Sequence, residues 1–134
     1  MRMAVAGAAL IASYIFADAY GGLIEGKFAP VVRDFNITRV EPAGQQRSRI
    51  WGTMDIVRWN CSPVQVSWGR ENAVRVGFAE LEFEEGAKSR GPGINEWGPW
   101  LVNMRPREVR EESRVIVYHQ CPHRFWITAT NLYP

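Results

Sequence analysis

Residues 72–84, NAVRVGFAELEFE, set the fold class. Val74, Val76 and Phe78 alternate with Arg75 and Gly77. Further on, Leu81 and Phe83 alternate with Glu80, Glu82 and Glu84. A period of two belongs to a strand with one face on a core and the other in water. The parity changes between Phe78 and Leu81, so a bulge or break is expected near Ala79.

Outward from this stretch the same signal recurs. Strand-like runs occupy Val31–Val40, Arg49–Trp59, Pro63–Trp68, Trp100–Met104, Arg114–Cys121 and Phe125–Thr130. In the first, Val31, Arg33, Phe35, Ile37 and Arg39 share one face, and Val32, Asp34, Asn36 and Thr38 the other. Gly, Pro and Asn bound the runs. Pro106–Glu112 is the one helical turn expected among them, because Pro suits a first helical position. No helix-length segments alternate with the strands. The expectation is therefore all-β: an antiparallel β-sandwich of about seven strands over residues 31–134. Residues 86–99, GAKSRGPGINEWGP, hold four Gly and two Pro and read as a long loop suited to recognition.

A chain of 134 residues holds one core of ordinary size. Its 46% hydrophobic and 22% charged residues describe a globular protein, not a disordered or coiled-coil chain. A net charge of +2 is too balanced for nucleic acid to be the expected partner. Arg outnumbers Lys 14 to 2, which fits a GC-rich genome better than a phosphate-binding role.

The N-terminus departs from this pattern. Arg2 precedes an uncharged apolar run, AVAGAALIASYIF at 4–16, followed by Ala17-Asp18-Ala19. A positive n-region, an apolar core and a small-x-small triplet form the plan of a secretory signal peptide. If Asp18 is tolerated near the outer interface, residues 3–24 make a membrane span instead, with Tyr14 and Tyr20 towards its outer end. A third reading is a helix buried in an assembly. Residues 20–30, YGGLIEGKFAP, with three Gly and one Pro, read as a linker, so the expected organisation is a signal peptide or single-pass anchor at 1–24, a linker at 25–30 and the sandwich at 31–134. The positive charge ahead of the apolar run keeps the N-terminus inside and puts residues 25–134 outside the cytoplasm, in the periplasm or at the cell exterior.

Cys61 and Cys121 each end a strand-like run, and in an exported domain the expectation is a disulfide between them. Their Cα atoms should then lie about 4.4–6.8 Å apart. Cys61, Trp68 and Cys121 resemble the immunoglobulin-like pattern, in which a disulfide staples two sheets beside a buried Trp. Trp68 follows Cys61 too closely for the usual spacing, and His119 stands where that family has Tyr.

On a regular strand His119, Cys121 and His123 would share a face and offer Zn²⁺ or copper ligands; Pro122 and a disulfide at Cys121 oppose this. A Cys121–His nucleophile pair meets the same objection. There is no G-x-S-x-G, Gly-rich phosphate loop or H-E-x-x-H, and neither an enzyme nor a cofactor is expected. Glu80, Glu82, Glu84 and Glu85 form an acidic ridge that reads as a solvated strand face. Arg105, Arg107, Arg110 and Arg114 interleaved with Glu108, Glu111 and Glu112 read as a salt-bridged turn. Asn36-Ile37-Thr38 matches a glycosylation sequon.

Trp97 and Trp100 flank a Gly-Pro turn. Exposed, they would stack on sugar rings or anchor a partner, with Arg90 and Asn95 from the same loop; buried, they would close the sandwich. At least one is expected to be buried. The stretch from Gly98-Pro99-Trp100 through His119-Gln120-Cys121-Pro122-His123-Arg124-Phe125-Trp126 to Thr128, Thr130 and Tyr133 resembles small exported or membrane-anchored proteins of tailed phages and prophages. That resemblance implies a phage or virion context and no activity. The functional expectation is a non-enzymatic, exported or tethered β-sandwich acting on a protein partner or on itself. A cell-wall or carbohydrate binder using Trp97 and Trp100, and a metal-binding protein, are the alternatives.

Overall fold

The computed structural model describes residues 2–72, 76–85 and 90–133. A long helix, α1 (Arg2–Phe28), precedes strands β1 (Val32–Pro42), β2 (Ser48–Ile56), β3 (Ser62–Glu71), β4 (Val76–Phe78), β5 (Leu81–Phe83) and β6 (Gly93–Val102). A short helix, α2 (Pro106–Glu112), then leads to β7 (Ser113–Gln120) and β8 (Ile127–Tyr133). The strands form two antiparallel four-stranded sheets, ordered β1-β2-β6-β5 and β4-β3-β7-β8. This is the expected β-sandwich, with an apolar helix ahead of it.

There are eight strands among the described residues and not seven, because the alternating stretch before Glu84 supplies two strands, β4 and β5. β4 pairs with β3 in one sheet and β5 with β6 in the other. The parity change at Ala79 is where the chain crosses between sheets. Phe78, expected inside, is 90% exposed, because a three-residue strand at a sheet edge has nothing to cover it. Val74 lies outside the described residues, as does the 86–89 part of the expected loop. The rest of that loop is mostly strand, since β6 begins at Gly93, well before the expected Trp100.

The core is aromatic. Phe35, Ile50, Trp68, Trp97, Trp100, Val102, Met104, Val109 and Val115 fill the space between the sheets. Phe35 stacks on Trp97 at 4.8 Å between ring centroids, and Trp100 lies 4.4 Å from Trp97. Trp68 donates its indole N–H to the Ser113 hydroxyl at 2.9 Å.

Strict alternation would send Trp97 and Trp100 to opposite faces. Trp97 pairs with Gly52 and Trp100 with Ile50, so β6 carries one residue more than β2 across this step. The bulge falls at Gly98, whose φ of +105° suits glycine, and it turns both indoles inward. Gly52 is required opposite, because a methyl there would overlap the Trp97 ring and the Asn36 carbonyl. A comparable irregularity at Asp34 (φ +48°) breaks the alternation read for β1, so Val32 and Phe35 are both buried.

The residues expected to form a linker are helical instead. α1 continues unbroken through Gly21, Gly22 and Gly26 to Phe28 and lies along the free edge of β8. By length and composition α1 can cross a membrane from Val5 to Phe28. Its last third, however, packs against the sandwich.

Candidate functional site

The contact between α1 and β8 is built on missing side chains. A methyl at Gly22 would overlap the Ile127 carbonyl, and one at Gly26 the Ala129 carbonyl. A methyl at Gly21 would run into the Trp126 ring. The three glycines let the helix backbone come within contact of an edge strand's carbonyl row, close enough for weak Cα–H···O bonding. They also cover an edge that would otherwise be open to pairing with another chain.

Between these glycines stands Glu25, the one acidic residue on this part of the helix. Its Oε2 accepts from Trp126 Nε1 at 2.7 Å, from the Thr128 hydroxyl at 2.8 Å and from His123 Nε2 at 3.0 Å. Its Oε1 accepts from Arg58 at 2.7 Å. Arg58 also donates to the Ala29 carbonyl at 2.9 Å, at the end of the helix. The Phe125 backbone N–H donates to His123 Nδ1 at 3.1 Å, which leaves Nε2–H to face the carboxylate. Burial opposes ionisation of Glu25. The bonds from Thr128, Trp126, Arg58 and His123 outweigh it and hold the carboxyl down at about 2.

Cys61 and Cys121 form the expected disulfide, with Cα atoms 4.2 Å apart, slightly closer than expected. Cys61 immediately precedes β3 and Cys121 follows β7, and Ser62 pairs with Gln120. The bond therefore extends a ladder within one sheet. It is not a staple between sheets, as the comparison of Cys61, Trp68 and Cys121 with the immunoglobulin pattern implied.

His119, Cys121 and His123 do not come together as ligands. His119 faces the core with Nδ1 unpartnered, and burial, aided by Arg58, pushes its pKa down to about 4. Pro122 ends the strand, so His123 turns towards the helix and meets Glu25. Among the described residues, the potential ligand atoms of Glu25, Cys121 and His123 lie within 4.8 Å of one another. Cys121 is spent in the disulfide and both Glu25 oxygens are occupied, so the group acts as a charge clamp.

Trp97 and Trp100 are 2% and 7% exposed. The sugar-stacking platform does not exist, because both rings are core. Arg90 Nε donates to the Glu96 carbonyl at 3.2 Å, and Asn95 bonds the Gly91 and Gly93 carbonyls. These two residues shape the approach to β6. Two carboxylates of the acidic ridge are paired across the sheet, with Arg49 gripping Glu84 at 2.6 and 2.8 Å and Arg47 reaching Glu82 at 3.4 Å. α2 is the expected ion-paired turn, with Arg105–Glu108 and Arg107–Glu111 contacts. Asn36 is exposed and bonds the Asp34 carbonyl.

Glu25 escaped the sequence reading because it stood in a stretch taken for a linker. The available signal was Gly22 and Gly26 four residues apart on an apolar helix, with a lone acid between them. No family model, curated protein or solved structure matches the chain.

Proposed function

We propose that this chain is an exported, membrane-tethered β-sandwich with a structural or interaction role, not a catalytic one. The observation that carries the reading is the clamp between α1 and β8. The same helix that supplies the free apolar half is fixed to the sandwich by Gly22, Gly26 and the four donors on Glu25. Uncleaved, α1 is a stiff stalk, and the sandwich is held in one orientation to whatever holds the apolar half. The Cys61–Cys121 disulfide suits an oxidising compartment outside the cytoplasm. The partner is another protein or a second copy of the chain. The phage or virion context rests on the resemblance alone.

Cleavage after Ala19 is the second reading. One observation favours it: the glycine contacts begin at Gly21, so removal of residues 1–19 would leave the clamp whole. Intact mass of the protein from producing cells, after separation of membranes from soluble material, tests both. The tether predicts full-length mass in the membrane fraction, lowered by the two hydrogens of the disulfide until reductant is added. A soluble species whose mass begins at Tyr20 overturns it.

A further inference from the structure

Gly22 abuts Ile127 and Gly26 abuts Ala129, so α1 and β8 advance in the same direction. Traced backwards, the helix leaves the sandwich at the start of β8, beside the 121–126 turn, with Asp18 and Ala19 next to Arg124 and Trp126. That end of the molecule also carries the 57–61 connection, joined to the turn by the disulfide. The two segments expose large aromatics: Trp59 and Phe125 are each 74% exposed. Arg124 is exposed beside Phe125, and Tyr20 is exposed on the helix.

The length of the helix says what this end faces. The apolar stretch ahead of Asp18 runs from Met3 to Ala17. Fifteen helical residues rise about 22 Å, whereas a hydrocarbon core is about 30 Å thick. The shortfall of about 8 Å brings the membrane surface past Asp18, to the level of Arg124 and Trp126. Exposed Trp, Tyr and Phe next to Arg are the side chains that settle at the headgroup boundary, with rings at the acyl edge and charge in water.

We propose that the disulfide-tied end of the sandwich, with Trp59, Phe125 and Arg124, is a lipid-docking surface that sits in the headgroup layer of the bilayer holding α1. The inference rests on the tether reading. The clamp on Glu25 fixes the tilt of the sandwich, and the aromatic end makes up the length the helix lacks. The opposite end, with the β1–β2 turn at Gln45, points away from the membrane.

The test uses the full chain reconstituted into phosphatidylcholine vesicles with bromine atoms placed shallowly on the acyl chains, which quench nearby indoles. The quenched fraction is read for the wild type and three variants. Trp59→Phe should lower it and Phe125→Trp should raise it. Gln45→Trp, which adds an indole at the far end, should lower it by dilution. Equal quenched fractions in wild type and Trp59→Phe, or no rise with Phe125→Trp, overturn the docking surface. Flotation of the same vesicles separates the two ideas: protein that floats without Trp59-dependent quenching sinks only this inference, and protein that does not float sinks the tether as well. Far-ultraviolet circular dichroism of each variant confirms that the sandwich is intact.

Discussion

Glu25 carries more of the molecule's organisation than any other polar side chain described. Its carboxylate joins α1 to the 57–61 connection through Arg58 and to the 121–128 segment through His123, Trp126 and Thr128. Glu25→Gln keeps the shape but removes the charge that Arg58 faces. It should cost about 3 kcal/mol of stability, in the range for breaking one side of a sheltered ion pair, read as a shift in the denaturant midpoint. A midpoint within error of wild type would mean that Arg58 finds water instead.

His119 makes an independent acid prediction. Its folded pKa of about 4 lies below the ordinary 6.5. Above pH 6.5 both folded and unfolded forms are neutral and nothing is lost. Between 6.5 and 4 the unfolded chain takes a proton that the buried ring refuses, so stability falls with pH, by about 3 kcal/mol in all. Glu25 adds a second loss lower down, between its ordinary 4.5 and about 2, as the unfolded chain again protonates first. His119→Leu should abolish the first slope and leave the second, in unfolding midpoints measured from pH 7 to pH 3. Survival of the upper slope in that variant would assign it elsewhere.

At the scale of elements, most of the sandwich and the apolar part of α1 were legible, and the continuation of α1 to Phe28 was not. Strands with one wet face declare themselves by alternation, and Pro106 with the ion pairs of α2 declared the short helix. The break at Ala79 was marked by a change of parity, but the reading failed at Gly98 and Asp34, where an inserted residue interrupts period two with no such mark. It failed again at residues 20–30, for a different reason. Glycine weakens a helix by about 1 kcal/mol each, which argues for a linker. Here the glycines are present because a neighbouring strand comes too close for any side chain. Gly26→Ala improves intrinsic helix propensity and should still destabilise the docked helix, because its methyl meets the Ala129 carbonyl. Amide hydrogen exchange should show residues 20–28 losing protection while β2 and β6 keep theirs. Greater protection across α1 would contradict the packing. The disulfide belongs to this scale too. Replacing both cysteines by Ala should lower stability by about 4 kcal/mol, the chain-entropy value for so long a loop, without loss of the sheets, because the β3–β7 ladder continues beyond it.

At the scale of the whole molecule, the six tryptophans fall into three environments, with Trp51 and Trp126 half-buried between the extremes. Trp68, Trp97 and Trp100 form the aromatic centre between the sheets, whereas Trp59 stands exposed at the end from which α1 departs. Composition gives the number of indoles, and it is the bulge at Gly98 that turns Trp97 and Trp100 together into the core. The separation makes a contrast possible that tests fold and tether together. Trp97→Ala removes a stacked ring beside Phe35 and should cost about 3–5 kcal/mol. Trp59→Ala removes a ring with little to pack against and should change stability by no more than about 0.5 kcal/mol. If Trp59 lies in a headgroup layer, the order reverses for the membrane. Trp59→Ala should lower the fraction of indole emission quenched by shallowly brominated lipid in a salt-independent way, because the lost contact is apolar, and Trp97→Ala, which removes an indole buried in the core, should not lower it. Chemical unfolding and bromolipid quenching on the same two variants measure both halves. A large stability loss for Trp59→Ala would show that ring to be part of the packed structure and remove it from the docking surface.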